Sequence, residues 1–289
     1  MNRLILTVSC HSTRGVVASI AEYLANNGCN IVDSSQFDDL ENGKFFMRVT
    51  FISEEGQTIK ELSENFIKIR QKFTMRANFY DEQKKTKVIL MVSRFGHCLN
   101  DLLYRWKINA LPIDIVAVVS NHLDYQEVVL SNGISFYYLQ GTAENKDQTE
   151  LKKIIRKTQA ELIVLARYMQ VLSCKICHEL KGRIINIHHS FLPSFKGANP
   201  YRQAYKRGVK LIGATAHYVT KDLDEGPIIE QDVARITHAQ NANDYTSIGR
   251  DIEAQVLARA VLAHIQHRTF INGTSVVVFP ASSGSYSAT

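Results

Sequence analysis

A chain of 289 residues, 45% apolar and 21% charged with a net charge of +6, is long enough for about two domains with sizeable cores. No apolar run approaches the roughly 20 residues that span a bilayer, and Met1 to Cys10 lacks a cationic stretch with a signal core, so a cytoplasmic protein is expected with no membrane partner. The charge excess is mild and forms no basic block, which suits a small acidic ligand and gives no nucleic-acid footprint, and five scattered cysteines suit a reducing compartment.

In chain order, Leu4 to Ser9 reads as a strand, followed by a turn through His11-Ser12-Thr13-Arg14-Gly15 and a helix over Val17 to Asn26 that stops at Gly28. Next come a strand over Asn30 to Phe37, a hairpin turn at Glu41-Asn42-Gly43 and a strand over Phe45 to Ile52. A helix from about Thr58 to Lys72 and a closing strand near Thr74 to Tyr80 complete the order β-α-β-β-α-β, a small ferredoxin-like α+β module over residues 1–82.

Cys10 through Gly15 and the segment Gly28-Cys29-Asn30-Ile31 make this module resemble an ACT domain. That resemblance implies a regulatory unit that binds a small amino acid at the turn after its first strand and pairs its sheets between subunits. Arg14, Gly15, Asn30 and Ile31 are then the effector-binding candidates, and a homo-oligomer is expected. Ser12-Thr13-Arg14 stands where that family has acidic and proline residues, so a packing module without a ligand is the alternative.

The charged segment Asp81 to Thr86 reads as a link, since nothing in it anchors a core. Beyond it, strands at Lys87 to Ser93, Ile113 to Ser120, Ser135 to Leu139 and Leu162 to Ala166 alternate with helices at Cys98 to Trp106, Tyr125 to Ser131, Asp147 to Thr158 and Ser173 to Leu180. Such alternation predicts a doubly wound, mainly parallel Rossmann-like sheet over residues 87–280. A helix near Tyr201 to Arg207, a strand near Ile228 to Val233, a long helix from Asn243 to His267 and a short strand from Ser275 to Phe279 follow. The tail 281–289 is expected to be disordered. Cys174 and Cys177 form a C-x-x-C in a predicted helix with no second pair, which reads as core thiols rather than a zinc site.

The second part turns on Ile184 to Gly197, answered by His217 to Gly226. An apolar run ends on Asn186, Ile187, His188 and His189, so a buried strand opens into a polar loop. Alternation puts Asn186 and His188 on one side at the carboxyl end of that strand, where ligands bind in open α/β sheets. Leu211 to Val219 is another strand, and the turn after it carries Asp222, Asp224 and Glu225 before Gly226. One acid from that turn can reach His188, so an amide, an imidazole and a carboxylate converge. His189 faces the other way, adjacent strand residues point apart and no third ligand is evident, so no metal is expected.

Asn186-x-His188-x-Ser190-x-Leu192-Pro193-x-x-x-Gly197, with His217 and Asp224 and then Gly226-Pro227-Ile228-Ile229, resembles the formyltransferase fold that handles 10-formyltetrahydrofolate. With the ACT-like module in front, the chain to about Phe279 is similar to the formyltetrahydrofolate deformylases. That resemblance implies hydrolysis of 10-formyltetrahydrofolate to formate and tetrahydrofolate, which supplies formate to purine synthesis, with the folate as substrate and no separate cofactor. It assigns catalysis to Asn186, His188 and Asp224. Such hydrolysis needs charge stabilisation on the carbonyl oxygen, which Asn186 and His188 can donate, and a carboxylate to orient the imidazole or take a proton from water.

Ala166 to Leu172 looks like the family segment that holds the pterin, which makes Met169, Gln170, Leu172, His217 and Val219 the substrate-binding candidates. Lys196 or Arg202 near the mouth could attract the glutamate tail. Formyltransferases acting on a ribonucleotide amine hold its phosphate in a glycine- and serine-rich turn after the first strand. Here that turn reads Ser93-Arg94-Phe95-Gly96-His97-Cys98, and water is left as the acceptor. A transferase to a small amine and a non-catalytic folate or amino-acid sensor remain the alternatives.

Overall fold

A computed structural model of the chain describes residues 3–140, 148–193 and 200–281. Two compact units emerge among them, one of residues 3–85 with 266–270 and 277–281, the other of residues 86–265 with 271–276. Ser194, Lys196 and Gly197, and the expected tail after Ala281, lie outside the described residues.

The first unit runs β1 (Arg3–His11), α1 (Val16–Asn26), β2 (Cys29–Asp39), β3 (Lys44–Ser53), α2 (Ile59–Asn65), α3 (Ile67–Lys72) and β4 (Arg76–Asp81). Its sheet has the order β2-β3-β1-β4 and is antiparallel throughout. The hairpin between β2 and β3 closes on Gly43 at φ 60°, with Asn42 Nδ2 donating to Asp39 Oδ2 at 2.7 Å. The single helix expected over Thr58 to Lys72 is two helices joined at Phe66, whose fully buried ring packs edge-on against Tyr23 and Phe79. Seating that ring breaks the helical run. Thr58 starts α2 with a reciprocal capping box to Glu61.

Residues after the long helix return to this unit. Arg48 Nε donates to the carbonyl of Gln266 at 3.0 Å, Tyr80 stacks on His267, and Phe270 packs on Phe46 and Phe279. The second unit therefore does not continue unbroken to residue 280.

The second unit holds β5 (Thr86–Val92), α4 (His97–Lys107), β6 (Ile113–Ser120), α5 (Gln126–Ser131), β7 (Phe136–Tyr138), α6 (Thr149–Thr158), β8 (Leu162–Leu165), α7 (Cys174–Glu179), β9 (Ile184–His188), α8 (Pro200–Arg207), β10 (Leu211–Tyr218), β11 (Ile228–Arg235) and α9 (Ala242–Ile265). Sheet order is β11-β10-β9-β8-β5-β6-β7. Strands β7, β6, β5, β8 and β9 are parallel, while β10 runs antiparallel to both β9 and β11. Apolar layers cover both faces, one including Val88, Leu90 and Ile185 beneath α9, the other including Ile89, Met91 and Ile184.

The long helix ends at Ile265 rather than His267, where His267 adopts a left-handed backbone. A hairpin of β12 (Thr269–Asn272) and β13 (Ser275–Val278) follows. Asn272-Gly273 is its turn, and it pairs the strand expected over Ser275 to Phe279 with β12, a strand not expected from the sequence.

Candidate active site

Alternation along β9 sends Ile185 and Ile187 into the core under α9 and leaves Asn186 and His188 on the opposite face. Antiparallel register then places His217 of β10 directly across from Asn186, and Thr215 across from His188. Directly paired residues share a face, so Asn186 Nδ2 meets His217 Nε2 at 3.3 Å. His217 Nδ1 lies 3.0 Å from the carbonyl of Tyr218, which can only accept, so Nδ1 carries the proton and Nε2 accepts from Asn186. Buried Thr215 fixes the chain leaving β9: its Oγ1 donates to Ser190 O at 2.9 Å and accepts from Leu192 N at 3.0 Å.

The turn between β10 and β11 brings in the carboxylate. Gly226 is required there because a Cβ would overlap the carbonyl oxygen of Tyr218. Asp224 takes a left-handed backbone at φ 56°, a conformation Asp tolerates better than most residues. Its Oδ2 lies 3.2 Å from His188 Nδ1 and its Oδ1 lies 3.6 Å from His217 Nε2. Partial burial works against ionisation of Asp224, and the hydrogen bond from His188, with the His217 ring close by, outweighs it, holding the carboxyl well below the usual carboxylate range. Asp222, in the same turn, is exposed.

His188 is 4% exposed, and its Nε2 is buried with no hydrogen-bond partner among the described residues. Such an atom beside a cavity is a chemical handle, since a buried polar group left unpaired carries a desolvation cost. The cavity measures about 250 Å³ and is lined by Asn186, His188, His217 and Asp224 together with Met169, Gln170, Leu172 and Val219. All the sequence-derived catalytic and substrate-binding candidates thus meet in one place. Ser93 ties the segment 167–169 to the end of β5, its N–H donating to Arg167 O at 3.2 Å and its Oγ accepting from Met169 N at 3.0 Å.

Beside the trio lies a buried network not foreseen from sequence. Glu253 on α9 is 1% exposed; Tyr201 donates to its Oε1 at 2.7 Å, and its Oε2 stands 2.8 Å from His97 Nε2 and 3.3 Å from Arg167 Nε. Burial opposes its ionisation, but His97, Arg167 and Tyr201 hold it below the ordinary carboxylate value. One signal was available: Glu253 sits on the buried stripe of α9 that runs through Gly249, Ile252, Val256, Leu257 and Ala260. Ligand atoms of His97, Cys98 and Glu253 lie within 4.8 Å of one another. Burial and the nearby Glu253 push the Cys98 thiol well up, and the guanidinium of Arg167 already matches the carboxylate, so the group reads as an ion-pair network rather than a cation site.

In the first unit the effector candidates do not converge. Arg14 and Gly15 follow the end of β1 where His11 pairs with Lys44, whereas Asn30 pairs with Ile52 at the opposite end of β3. Eight residues of extended strand separate the two ends, about 26 Å.

Comparison with known proteins places both parts. The second part matches the formyl transferase family over residues 86–261, and the first matches the ACT domain over residues 4–66. Formyltetrahydrofolate deformylase of Corynebacterium sp. (strain P-1) is 44% identical, covering 96% of this chain and 98% of that protein. That of Bacillus subtilis (strain 168) is 42% identical over 95% of this chain and 93% of its own. The crystal structure of a formyltetrahydrofolate deformylase from Pseudomonas syringae superposes with a TM-score of 0.94 at 41% identity, covering 97% of this chain and 95% of that one. With both domains matched and identity of this order over nearly the full length, the chain belongs to the formyltetrahydrofolate deformylase family.

Proposed function

We propose that the second unit hydrolyses 10-formyltetrahydrofolate to formate and tetrahydrofolate. The observation that carries this reading is the unpartnered Nε2 of His188, held by Asp224 on its other ring nitrogen, on the wall of a cavity that also carries the Asn186 amide. Apolar Met169, Leu172 and Val219 suit a pterin ring, Gln170 offers it a polar edge, and His217 lines the same cavity.

With Nδ1–H donating to Asp224, the Nε2 of His188 is a lone pair facing the cavity. Water attacks the formyl carbon while that lone pair takes its proton, and the spare hydrogen of Asn186 Nδ2 binds the developing oxyanion. The resulting imidazolium is matched by Asp224. Its proton then passes to the leaving N10, the C–N bond breaks with its electron pair going to nitrogen, and formic acid loses its proton to solvent as formate. Asp224 acts through His188 in this scheme, because a carboxyl held so far below neutrality is a weak base. His188 therefore shuttles the proton and binds the oxyanion only once protonated, a fuller role than the donor expected from sequence.

The turn after β5 supports water as the acceptor. Phe95 carries the guanidinium groups of Arg167 and Arg250 over its ring at 5.8 and 5.3 Å, and a Cβ on Gly96 would overlap the Tyr125 ring, so large side chains surround this turn, unlike the small residues of a backbone phosphate cradle. The folate enters as substrate and no cofactor takes part. Five unbridged cysteines favour a cytoplasmic setting. For the first unit, an amino-acid site using both Arg14–Gly15 and Asn30–Ile31 requires two copies of the chain, which favours a homo-oligomer. Incubation with 10-formyltetrahydrofolate and no amine tests the main reading: formate release is expected, a need for added amine would point to a transferase, and binding without turnover to a sensor.

A further inference from the structure

A second cavity of the same unit, about 390 Å³, shares Arg167 and His189 with the reaction cavity. Its lining also includes His97, Arg202, Arg250 and Glu253. Both oxygens of Glu253 are engaged, by Tyr201 on one side and by His97 and Arg167 on the other. Three guanidinium groups therefore face one satisfied carboxylate, and positive charge is left in excess.

That excess has a gradient. Arg167 forms the buried end, 9% exposed, with its Nε close enough to Glu253 for ion pairing yet outside hydrogen-bond geometry. Arg202 and Arg250 are exposed, and neither has a carboxylate partner among the described residues. His189, between the two cavities, is pushed down to about 3 by burial and by Arg167, so it stays neutral and adds hydrogen-bonding capacity without charge.

Hydrolysis creates an anion in the reaction cavity, where the ionised Asp224 repels it. The cation-rich cavity beyond Arg167 offers the opposite field, and low-dielectric walls focus such fields. The geometry points to this second cavity as a carboxylate-binding site that receives formate, the anionic product, through Arg167 and Arg250. The identity of the anion rests on the hydrolytic reading; the positive cavity does not. At this size the space holds formate with several waters, each needing about 30 Å³, so the anion is held loosely and exchanges fast, as a leaving product requires.

Titration of the full chain into ¹³C-formate, followed by the width of the formate carbon resonance, tests the site without any turnover. Wild type is expected to broaden the line, and Arg250→Gln, an exposed substitution whose folding is checked by circular dichroism, to reduce the broadening at least fivefold. Broadening that is equal in the two proteins, abolished by an equal concentration of chloride, or absent from wild type would overturn the assignment. A parallel hydrolysis assay keeps the two claims apart: formate binding in a protein that releases no formate from the folate would remove the hydrolytic reading and leave the carboxylate site standing.

Discussion

Asn186 of β9 and His217 of β10 are direct cross-strand partners, with Nδ2 3.3 Å from Nε2. The amide is thus oriented by sheet register rather than by a loop, and a slip of one residue would send the pair to opposite faces. Asp224 then reaches His188 from a turn whose path is set by the contact between Gly226 and Tyr218.

Replacing the Asn186 donor or the His188 proton shuttle is expected to leave the fold intact and to remove transition-state stabilisation. Asn186→Ala and His188→Ala are each expected to lose about 2.7–4 kcal/mol, on the order of a hundred- to thousandfold in turnover. Folate affinity changes much less. Steady-state kinetics with circular dichroism checks both, and wild-type turnover in either variant would refute the assigned role.

Gly226→Ala probes the turn itself. A Cβ there meets backbone, which cannot move aside as a flexible side chain can. Overpacking of this kind costs about 1–3 kcal/mol, and displacement of Asp224 should cut turnover at least as strongly as it lowers the denaturation midpoint. Unchanged kinetics would mean that the turn tolerates a different path.

Acid stability has a defined sign. Burial, assisted by Arg183, pushes His264 down to about 4, and burial with Arg167 pushes His189 down to about 3. The unfolded chain therefore binds protons at these sites near its ordinary histidine pKa of about 6.5, before the folded chain does. Stability falls as pH drops from about 6.5 towards 4. Asp224 behaves oppositely in origin: its depressed carboxyl contributes stability that is full above about 3.9 and is lost only as pH falls further. Thermal unfolding against pH should show the histidine slope first, and a flat profile between pH 6.5 and 4 would contradict it.

Glu253 is the buried charge whose removal should be felt most in the second unit. Glu253→Ala strands the guanidinium of Arg167, and breaking a buried pair costs about 3–5 kcal/mol. Glu253→Gln keeps an acceptor for Tyr201 and should cost less. Denaturant unfolding of the two variants orders them; equal small losses would show the network to be dispensable.

Period and motif made much of this molecule legible. The two-residue alternation of Ile185, Asn186, Ile187 and His188 was enough to put the amide and imidazole on one face, and the turn chemistry around Gly226 was enough to bring an acid near them. The break at Phe66 was hidden because a ring's burial is a tertiary demand that local helix preference does not register. Glu253 was missed because, in a helix otherwise apolar on that stripe, one carboxylate reads as noise until its partners from two other helices and a loop are known. The separation of Arg14 from Asn30 was likewise invisible, since it depends on strand register rather than on sequence distance.

Asp224 makes His188 competent through its charge, not through the turn it sits in. Asp224→Asn keeps size and removes charge, while Asp222→Asn makes the same change at an exposed position of the same turn. Single-turnover release of formate from 10-formyltetrahydrofolate, measured in both variants with substrate binding confirmed, decides between charge and shape. Near-complete loss is expected for Asp224→Asn and near wild-type release for Asp222→Asn; equal losses in the two, or an active Asp224→Asn, would rule out a role for the charge.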